Sequence, residues 1–207
     1  MNTNGKLSSY FLLSLGIIIL DQIVKLIIHF TMTENLDTIH ILGDVFKLHY
    51  VTNPGMAFGI EFGGSYGKIF LSVFRLFAMF GIGWYMSKLY QNQAPKGFLI
   101  CVAMILGGAV GNLVDSIFYG EFLGLLVRDA PITWFHGKVV DMFFVDIYRG
   151  SVPIPFTGNS FDLQLWPIFN VADSSIFVAV IFILIYQKRF FKAAEKKKHF
   201  TGSTKSI

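Results

Sequence analysis

Four long apolar stretches dominate the pattern of hydrophobic and polar positions along the chain. They run over Tyr10–Phe30, Ile69–Leu89, Gly97–Tyr119 and Pro167–Gln187. A helix of about 20 predominantly apolar residues is long enough to cross a bilayer. Charged side chains interrupt the first two stretches at Asp21, Lys25 and Arg75, but both stretches remain long enough. The pattern therefore predicts four membrane-spanning helices.

Shorter patterns of a different kind lie in the two long segments between these stretches. Apolar and polar side chains alternate in "DVFKLHYV", and the turn-forming "NPGMAFGI" follows it. "SFDLQLW" alternates similarly just before the fourth stretch. Because a period of two is typical of strands, pieces of both segments are expected to form a small sheet. The predicted fold class is an all-α membrane protein, a four-transmembrane-helix bundle with a small β-containing extracytoplasmic subdomain.

Composition supports a membrane protein. The chain has 207 residues, of which 54% are hydrophobic and only 14% are charged, and its mean hydropathy is +0.59. Such a chain is too apolar for a soluble domain of this size. The single cysteine, Cys101, lies in the third apolar stretch, which excludes an intrachain disulfide and a cysteine-rich metal site. Without repeats or low-complexity tracts, residues 1–207 are predicted to form one domain, with the first apolar stretch retained.

The distribution of lysine and arginine predicts how the chain crosses the membrane. Seven of them lie in the tail at 188–207, one lies at 31–66, and three lie at 120–166. Basic residues flanking spans are enriched on the cytoplasmic side, so both termini are predicted to be cytoplasmic and the two long loops outside. The tail has seven basic residues and one acidic residue, a formal charge of +6, against a net charge of +4 for the whole chain. A tail facing lipid headgroups accounts for that charge, and no nucleic-acid partner is expected.

Polar side chains gather near the outer ends of the predicted spans. Lys25, Asp115 and Asp173 each lie within about 10 Å of that boundary at a rise of about 1.5 Å per residue, and Asp21 lies slightly deeper. Asp21 and Lys25 share a helix face, and this spacing favours an ion pair between them. Asn112 and Asp115 also share a helix face. Ionisable groups inside a membrane are costly and are usually paired or functional. Their common depth predicts a polar site that opens at the outer leaflet.

The chemistry available at this site is that of carboxylates. "GKVVDMFF" places Asp141 between apolar residues of the second long loop. The five histidines are dispersed without ligand spacing, so neither a metal nor a cofactor is expected. Two aspartates close together in apolar surroundings share a proton, so that one acts as general base and the other as general acid on water. They titrate as a unit. From the residues alone, the choice among Asp115, Asp141 and Asp173 stays open.

Five motifs in order carry a resemblance to a known family. They are "DQIVK", "NPGMAFG", "GGAVGNLVD", "VVD" and "FNVADSSI". The sequence resembles the bacterial lipoprotein signal peptidases, or type II signal peptidases, over nearly everything from Tyr10 to Gln187. That family consists of membrane-embedded aspartic peptidases that cut diacylglyceryl-modified prolipoproteins before the lipidated cysteine. The resemblance implies a multi-pass monomer of the bacterial cytoplasmic (inner) membrane, in contact with membrane lipids and lipid-modified prolipoproteins, with its active site at the outer leaflet and no cofactor.

The resemblance also implies roles for single residues, motif by motif. The catalytic pair is Asp141 of "VVD" and Asp173 of "FNVAD", and Asp115 supports the site. Asp21 and Lys25 match a polar pair that lines or braces the cavity. The positions expected around the substrate are Asn53, Gly55, Asn112, Asn170 and Ala172.

The chain departs from the family's pattern in places. The family usually has arginine after the third motif's aspartate, where this chain has Ser116, and Arg128 or Arg149 are candidates to replace that cation. The stretches 119–138 and 142–167 look longer than usual.

Two other functions are alternatives for such a sequence. In a small proton- or ion-coupled transporter, polar side chains are expected to continue into the cytoplasmic half of the spans. The fourth stretch has none between Ser175 and Gln187. A noncatalytic scaffold does not need carboxylates gathered at one depth.

Overall fold

Long helices account for the four apolar stretches. The structure, a computed structural model, describes residues 5–54, 64–146, 149–153, 160–164 and 167–203. Its helices are α1 (Leu7–Thr31), α2 (Gly64–Gln91), α3 (Lys96–Val114), α4 (Gly120–Leu123) and α5 (Val171–Ser203). Four helical segments within the described residues are long and apolar enough to cross a membrane: Leu7–Thr31, Tyr66–Gln91, Lys96–Leu123 and Val171–Phe190. The prediction of four spans is confirmed.

The fourth span begins at Val171, four residues after the predicted start at Pro167. The backbone of Phe169 is already bonded elsewhere, because it forms an antiparallel bridge with Phe143. Phe143 N–H donates to Phe169 O at 2.7 Å, and Phe169 N–H donates back at 3.0 Å. A residue held in a sheet-like bridge cannot take helical backbone angles. Asn170 therefore lies in the connection ahead of α5 and not inside the span.

The third span changes its helical winding near its end. Residues Asp115–Tyr119 form one π-helical turn between α3 and α4, and Gly124 follows α4 with a positive φ of 68°. Single π-helical turns inside helices are rare and occur frequently at functional sites. Asp115 is the first residue of this turn, so the irregular winding begins at a carboxylate.

A small antiparallel sheet combines strands from both long loops. Its order is β1 (Thr38–Leu42), β2 (Phe46–Asn53) and β3 (Val139–Val145). A separate hairpin pairs β4 (Arg149–Pro153) with β5 (Ser160–Gln164). The predictions of a strand in "DVFKLHYV" and another in "SFDLQLW" are confirmed, as is a sheet drawn from both loops. The partner of β2 is nevertheless β3, which is almost continuously apolar and lacks the alternation that indicates a strand.

A β-bulge sets the register between β2 and β3. Leu48 pairs with Phe143 and Val51 pairs with Asp141, so two residues of β2 lie opposite one residue of β3. A bulge adds a residue to one strand and redirects the side chains around it. Beyond the bulge, Asn53 pairs with Val139, which places the end of β2 beside the segment of β3 that carries Asp141.

The chain forms two compact units. The first comprises Met1–Gln22, Ile69–Val114 and Val171–Ile207, and the second comprises Ile23–Lys68 and Asp115–Asn170. The sequence-based assignment of residues 1–207 to one domain stays a prediction.

Helix α3 is the centre of the first unit. Its buried residues Leu99, Val102, Ala103 and Leu106 pack in one apolar cluster with Tyr10, Met86 and Ala94. Glycines allow neighbouring backbones to come close: a Cβ at Gly108 would lie 2.4 Å from Ala172 O in α5, and one at Gly107 would lie 2.9 Å from Ser14 O in α1. Small residues at such contacts are typical of helices that pack within membranes.

The core of the second unit joins the end of α1 to the sheet. Ile28, Met32, Tyr50, Tyr119, Val140 and Met142 form one buried cluster. The hydroxyl of Tyr50, a residue that is 2% exposed, lies 2.9 Å from His29 Nδ1. Burial, together with the negative charge of Glu34, raises the pKa of Tyr50 to about 12. Tyr50 therefore stays a neutral phenol throughout the ordinary pH range.

Candidate active site

Asp141 lies in the middle of β3, in the apolar interior of the second unit. The carboxylate is 2% exposed, and its neighbours Val140 and Met142 are completely buried. Asn170 donates from Nδ2 to Asp141 Oδ1 at 2.6 Å, and Asn53 donates from Nδ2 to Oδ2 at 3.3 Å. Because each oxygen accepts a hydrogen bond from a side-chain amide, the plane of the carboxylate is fixed.

Asp115 forms a buried ion pair in the same unit. Lys25 Nζ lies 2.7 Å from Asp115 Oδ2, and neither side chain is exposed. The same oxygen accepts the Val140 N–H at 3.4 Å. A buried carboxylate needs such compensation, because an unpaired charge in apolar surroundings is very costly. Asp115 thus connects α1 to the strand that carries Asp141.

Asp173 lies in the first turn of α5, in the first unit. Its Oδ1 accepts a hydrogen bond from Asn112 Nδ2 of α3 at 2.8 Å. A carboxylate in the first turn is stabilised by the unpaired N–H groups and the positive end of the helix dipole. Asp173 is therefore held in place both by its own helix and by an amide from a neighbouring helix.

Asp21 caps the same helix from outside. Its side chain is fully buried, and Oδ1 accepts the N–H of Ala172, the second residue of α5, at 2.9 Å. This N–H is one of the first four in a helix, which have no partner inside it. The Gln22 side chain donates to Asp21 Oδ2 and to Gly111 O, both at 3.2 Å. Asp21 acts as an N-cap supplied by α1.

These carboxylates contact different kinds of group. Asp115 contacts an ammonium, whose charge balances its own, and Asp21 satisfies a helix terminus. Asp141 and Asp173 contact side-chain amides, which orient a carboxylate without changing its net charge. Oriented carboxylates of this kind are suited to general acid–base chemistry on water. Among the described residues, no three His, Cys, Asp or Glu side chains are grouped as ligands for a metal ion.

Comparison with known proteins assigns the chain to a family of proteases. Residues 13–189 match the family described as signal peptidase (SPase) II. The chain belongs to the signal peptidase II family. Its relatives include a lipoprotein signal peptidase of Amoebophilus asiaticus, 37% identical over an alignment of 205 residues that covers 97% of this chain and 86% of the relative. Another, from Porphyromonas gingivalis, is 38% identical over an alignment of 185 residues that covers 84% of this chain and 80% of the relative.

Solved structures share the fold of this signal peptidase II member. A bacterial membrane enzyme determined by the in meso method at 1.9 Å resolution aligns with a TM-score of 0.61 and 22% identity, over 90% of this chain and 97% of that one. A second, at 2.3 Å, aligns with a TM-score of 0.58 and 22% identity over 88% of each chain. The predicted family, the class of enzyme and a multi-pass membrane fold are confirmed, and the transporter alternative is not favoured.

The structure brings most of the predicted site residues into two groups. In the second unit, Asn53 and Asn170 hold Asp141, while Lys25 holds Asp115. In the first unit, Asn112 holds Asp173, and Asp21 holds the backbone of Ala172. Gly55 lies outside the described residues. The roles that the signal peptidase II resemblance implies for these residues, including the pairing of Asp141 with Asp173, stay predictions.

Sequence reasoning missed Lys68. It lies just ahead of the second apolar stretch, where a lysine is usually solvated, yet it is 1% exposed. Its Nζ donates to Ser116 Oγ at 3.1 Å. Arg128, one of the two predicted replacements for an arginine at position 116, has a side chain that is 95% exposed. Its Nε lies 3.8 Å from Asp129 Oδ2. The side chain of Arg149 is outside the described part of the structure.

Proposed function

We propose that this protein is a membrane-embedded aspartic endopeptidase that removes the signal peptide from diacylglyceryl-modified prolipoproteins, cutting before the lipidated cysteine. Membership of the signal peptidase II family, with relatives named lipoprotein signal peptidase, carries the substrate class. The amide-held carboxylates in the "VVD" and "FNVAD" motifs support the aspartic chemistry.

The catalytic pair in this proposal is Asp141 and Asp173. Either carboxylate takes a proton from a water molecule as the oxygen of that water attacks the carbonyl carbon of the scissile peptide bond. The other, protonated at the start, gives its proton to the amide nitrogen as the C–N bond breaks. The pair exchanges protons as a unit, so neither aspartate is assigned permanently to either role. Water thus adds across the bond, and no metal or cofactor takes part.

The remaining residues support this pair. Asn53 and Asn170 orient Asp141, and Asn112 orients Asp173, as their hydrogen bonds favour. Asp115 with Lys25 braces β3, and Asp21 fixes the start of α5 through Ala172. By its place in the second motif, Gly55 belongs with Asn53 beside the substrate. A few tenths of an ångström matter here, because acid–base catalysis requires hydrogen-bond reach to the proton that moves.

The proposal includes a location. Both termini lie in the cytoplasm and the protein crosses the bacterial cytoplasmic membrane four times, with its site at the outer leaflet. Support comes from the basic tail at 188–207, since lysines and arginines flanking spans favour the cytoplasmic side. A site at that depth meets a peptide bond next to a lipid anchored in the outer leaflet. The enzyme works as a monomer surrounded by membrane lipids. A reporter fused to the C-terminus should be inaccessible from outside intact cells.

Three aspartate-to-asparagine variants test the chemistry. Asp141→Asn and Asp173→Asn should each lower kcat at least about 10²-fold, the range expected for loss of a general acid or base. Asp115→Asn should lower kcat less, because its carboxylate supports the site and does not exchange protons with substrate. The assay follows the size change of a lipidated prolipoprotein incubated with purified enzyme in bilayers. Asp44→Asn is the matched control, since the Asp44 side chain is 88% exposed.

Two results would contradict this assignment. One is full activity of a folded Asp141→Asn or Asp173→Asn enzyme. The other is loss of wild-type activity on treatment with a chelator, with recovery on addition of zinc, because a dyad of carboxylates needs no metal. Equal and complete loss in a correctly folded Asp115→Asn variant would overturn the separate supporting role of Asp115.

A further inference from the structure

Lys68 is a buried lysine of the second unit that contacts Ser116, the residue after Asp115. It belongs to the first turns of α2, and its side chain is among the largest that are fully buried. Its ammonium donates to the hydroxyl of Ser116, which is also fully buried. Burying a charged group is costly unless hydrogen bonds and other charges compensate, so a buried lysine usually has a function or a pairing that maintains it.

The residue that accepts this hydrogen bond, Ser116, lies next to Asp115 in the chain and contacts the segment that leads into β3. Ser116 directly follows Asp115 in the π-helical turn, and its carbonyl accepts the N–H of Gly137 at 3.0 Å. Gly137 lies two residues ahead of β3, and a Cβ there would come within 2.2 Å of Asp115 O. No side chain larger than hydrogen fits this contact. A shift of Ser116 would therefore move both Asp115 and the start of the strand that carries Asp141.

We propose that Lys68 is a positioning residue of the active site, acting through Ser116 on Asp115 and β3. This inference rests on the function proposed above and adds to it a cation from α2. Lys25 and Lys68 thus anchor two successive residues, Asp115 and Ser116, from two different helices.

Four variants separate a positioning role from simple packing. Lys68→Met keeps the length of the side chain and removes its charge, Lys68→Arg keeps a cation, and Ser116→Ala removes the acceptor. The fourth combines Lys68→Met with Ser116→Arg and so moves the cation from α2 to the π-helical turn. Lys88→Met, an exposed lysine at the other end of the same helix, is the matched control. Each purified variant is assayed for kcat and KM on a lipidated prolipoprotein, and its unfolding temperature is measured in micelles.

The expected result is a fall in kcat of about 10- to 100-fold for Lys68→Met, because small displacements of catalytic groups cost about that much. KM should change by less than about threefold. Lys68→Arg and the double variant should each recover at least about tenfold in kcat over Lys68→Met, and Lys88→Met should match the wild type. Ser116→Ala should be slowed in the same sense as Lys68→Met.

Other outcomes are equally clear. If folded Lys68→Met has wild-type kcat, or if Lys68→Arg is as slow as Lys68→Met, the proposal is wrong. Should Lys68→Met fail to fold, Ser116→Ala at wild-type kcat overturns it, since the hydrogen bond would then be dispensable. A wild-type enzyme that does not cleave the substrate at all refutes the proposed function instead, so the two failures are distinguishable.

Discussion

The buried ion pair between Lys25 and Asp115 should show strong energetic coupling. The perturbation is a double-mutant cycle of Lys25→Met, Asp115→Asn and the double variant. With 2.7 Å between Nζ and Oδ2, the gross attraction is about 6 kcal/mol at an effective dielectric constant of about 20. Desolvation of two completely enclosed charges offsets much of this attraction.

The two single variants and the double variant should therefore differ in a characteristic way. Each single substitution leaves the opposite charge buried without its ion-pair partner and should destabilise the protein by about 3–5 kcal/mol. The double variant leaves neither charge, so its loss should be smaller than the sum of the two single losses by about 3 kcal/mol, at the upper end for contacting residues. Unfolding in mixed micelles with increasing denaturing detergent, followed by tryptophan fluorescence, gives these free energies.

The control cycle uses Arg128→Ala and Asp129→Ala. Those side chains are 95% and 90% exposed and 3.8 Å apart, so solvent screens their attraction and no measurable coupling is expected. A coupling below about 0.5 kcal/mol for Lys25 with Asp115 would refute the reasoning, because residues in one ion-pair network do not behave additively.

Two further predictions concern the cores of the units. Burial, and then the charge of Glu34, raises the pKa of Tyr50 to about 12, so Tyr50 ionises at a lower pH in the unfolded chain than in the folded protein. The stability that this residue contributes is therefore complete below about pH 10 and is lost as the pH rises to about 12. Relative to Tyr50→Phe, the wild type should lose about 2–3 kcal/mol of unfolding free energy over that range, measured in micelles; parallel profiles would contradict this. Gly108→Ala should destabilise the protein by about 1–3 kcal/mol through overpacking, whereas Gly16→Ala, with nothing within 4 Å of the added methyl, should not; equal unfolding temperatures for the two would disprove the close helix contact.

The amino-acid sequence was sufficient to predict the four spans and one strand of the central sheet. The length of a predominantly apolar stretch is a local property, and a bilayer accepts few structures other than helices for it. The strand in "DVFKLHYV" was predicted as well, because apolar and polar side chains alternate along it. The order of the motifs also indicated Asp141 and Asp173, because a motif can be found in the sequence without knowing how the segments between the motifs fold.

Which buried polar groups contact one another could be learned only from the folded structure. The spacing of Asp21 and Lys25 favoured an ion pair within α1. In the structure, Lys25 instead pairs with Asp115, and Asp21 caps the start of α5. Nothing in the sequence distinguishes Lys68, at the edge of an apolar stretch, from a solvated lysine, whereas its contact with Ser116 does. Similarly, β3 is almost continuously apolar apart from Asp141, and its bulged pairing with β2 joins segments that are far apart in the sequence. The physical reason is that hydrophobicity acts through a segment's own composition, whereas a buried charge or amide is satisfied by atoms that packing brings from distant parts of the chain.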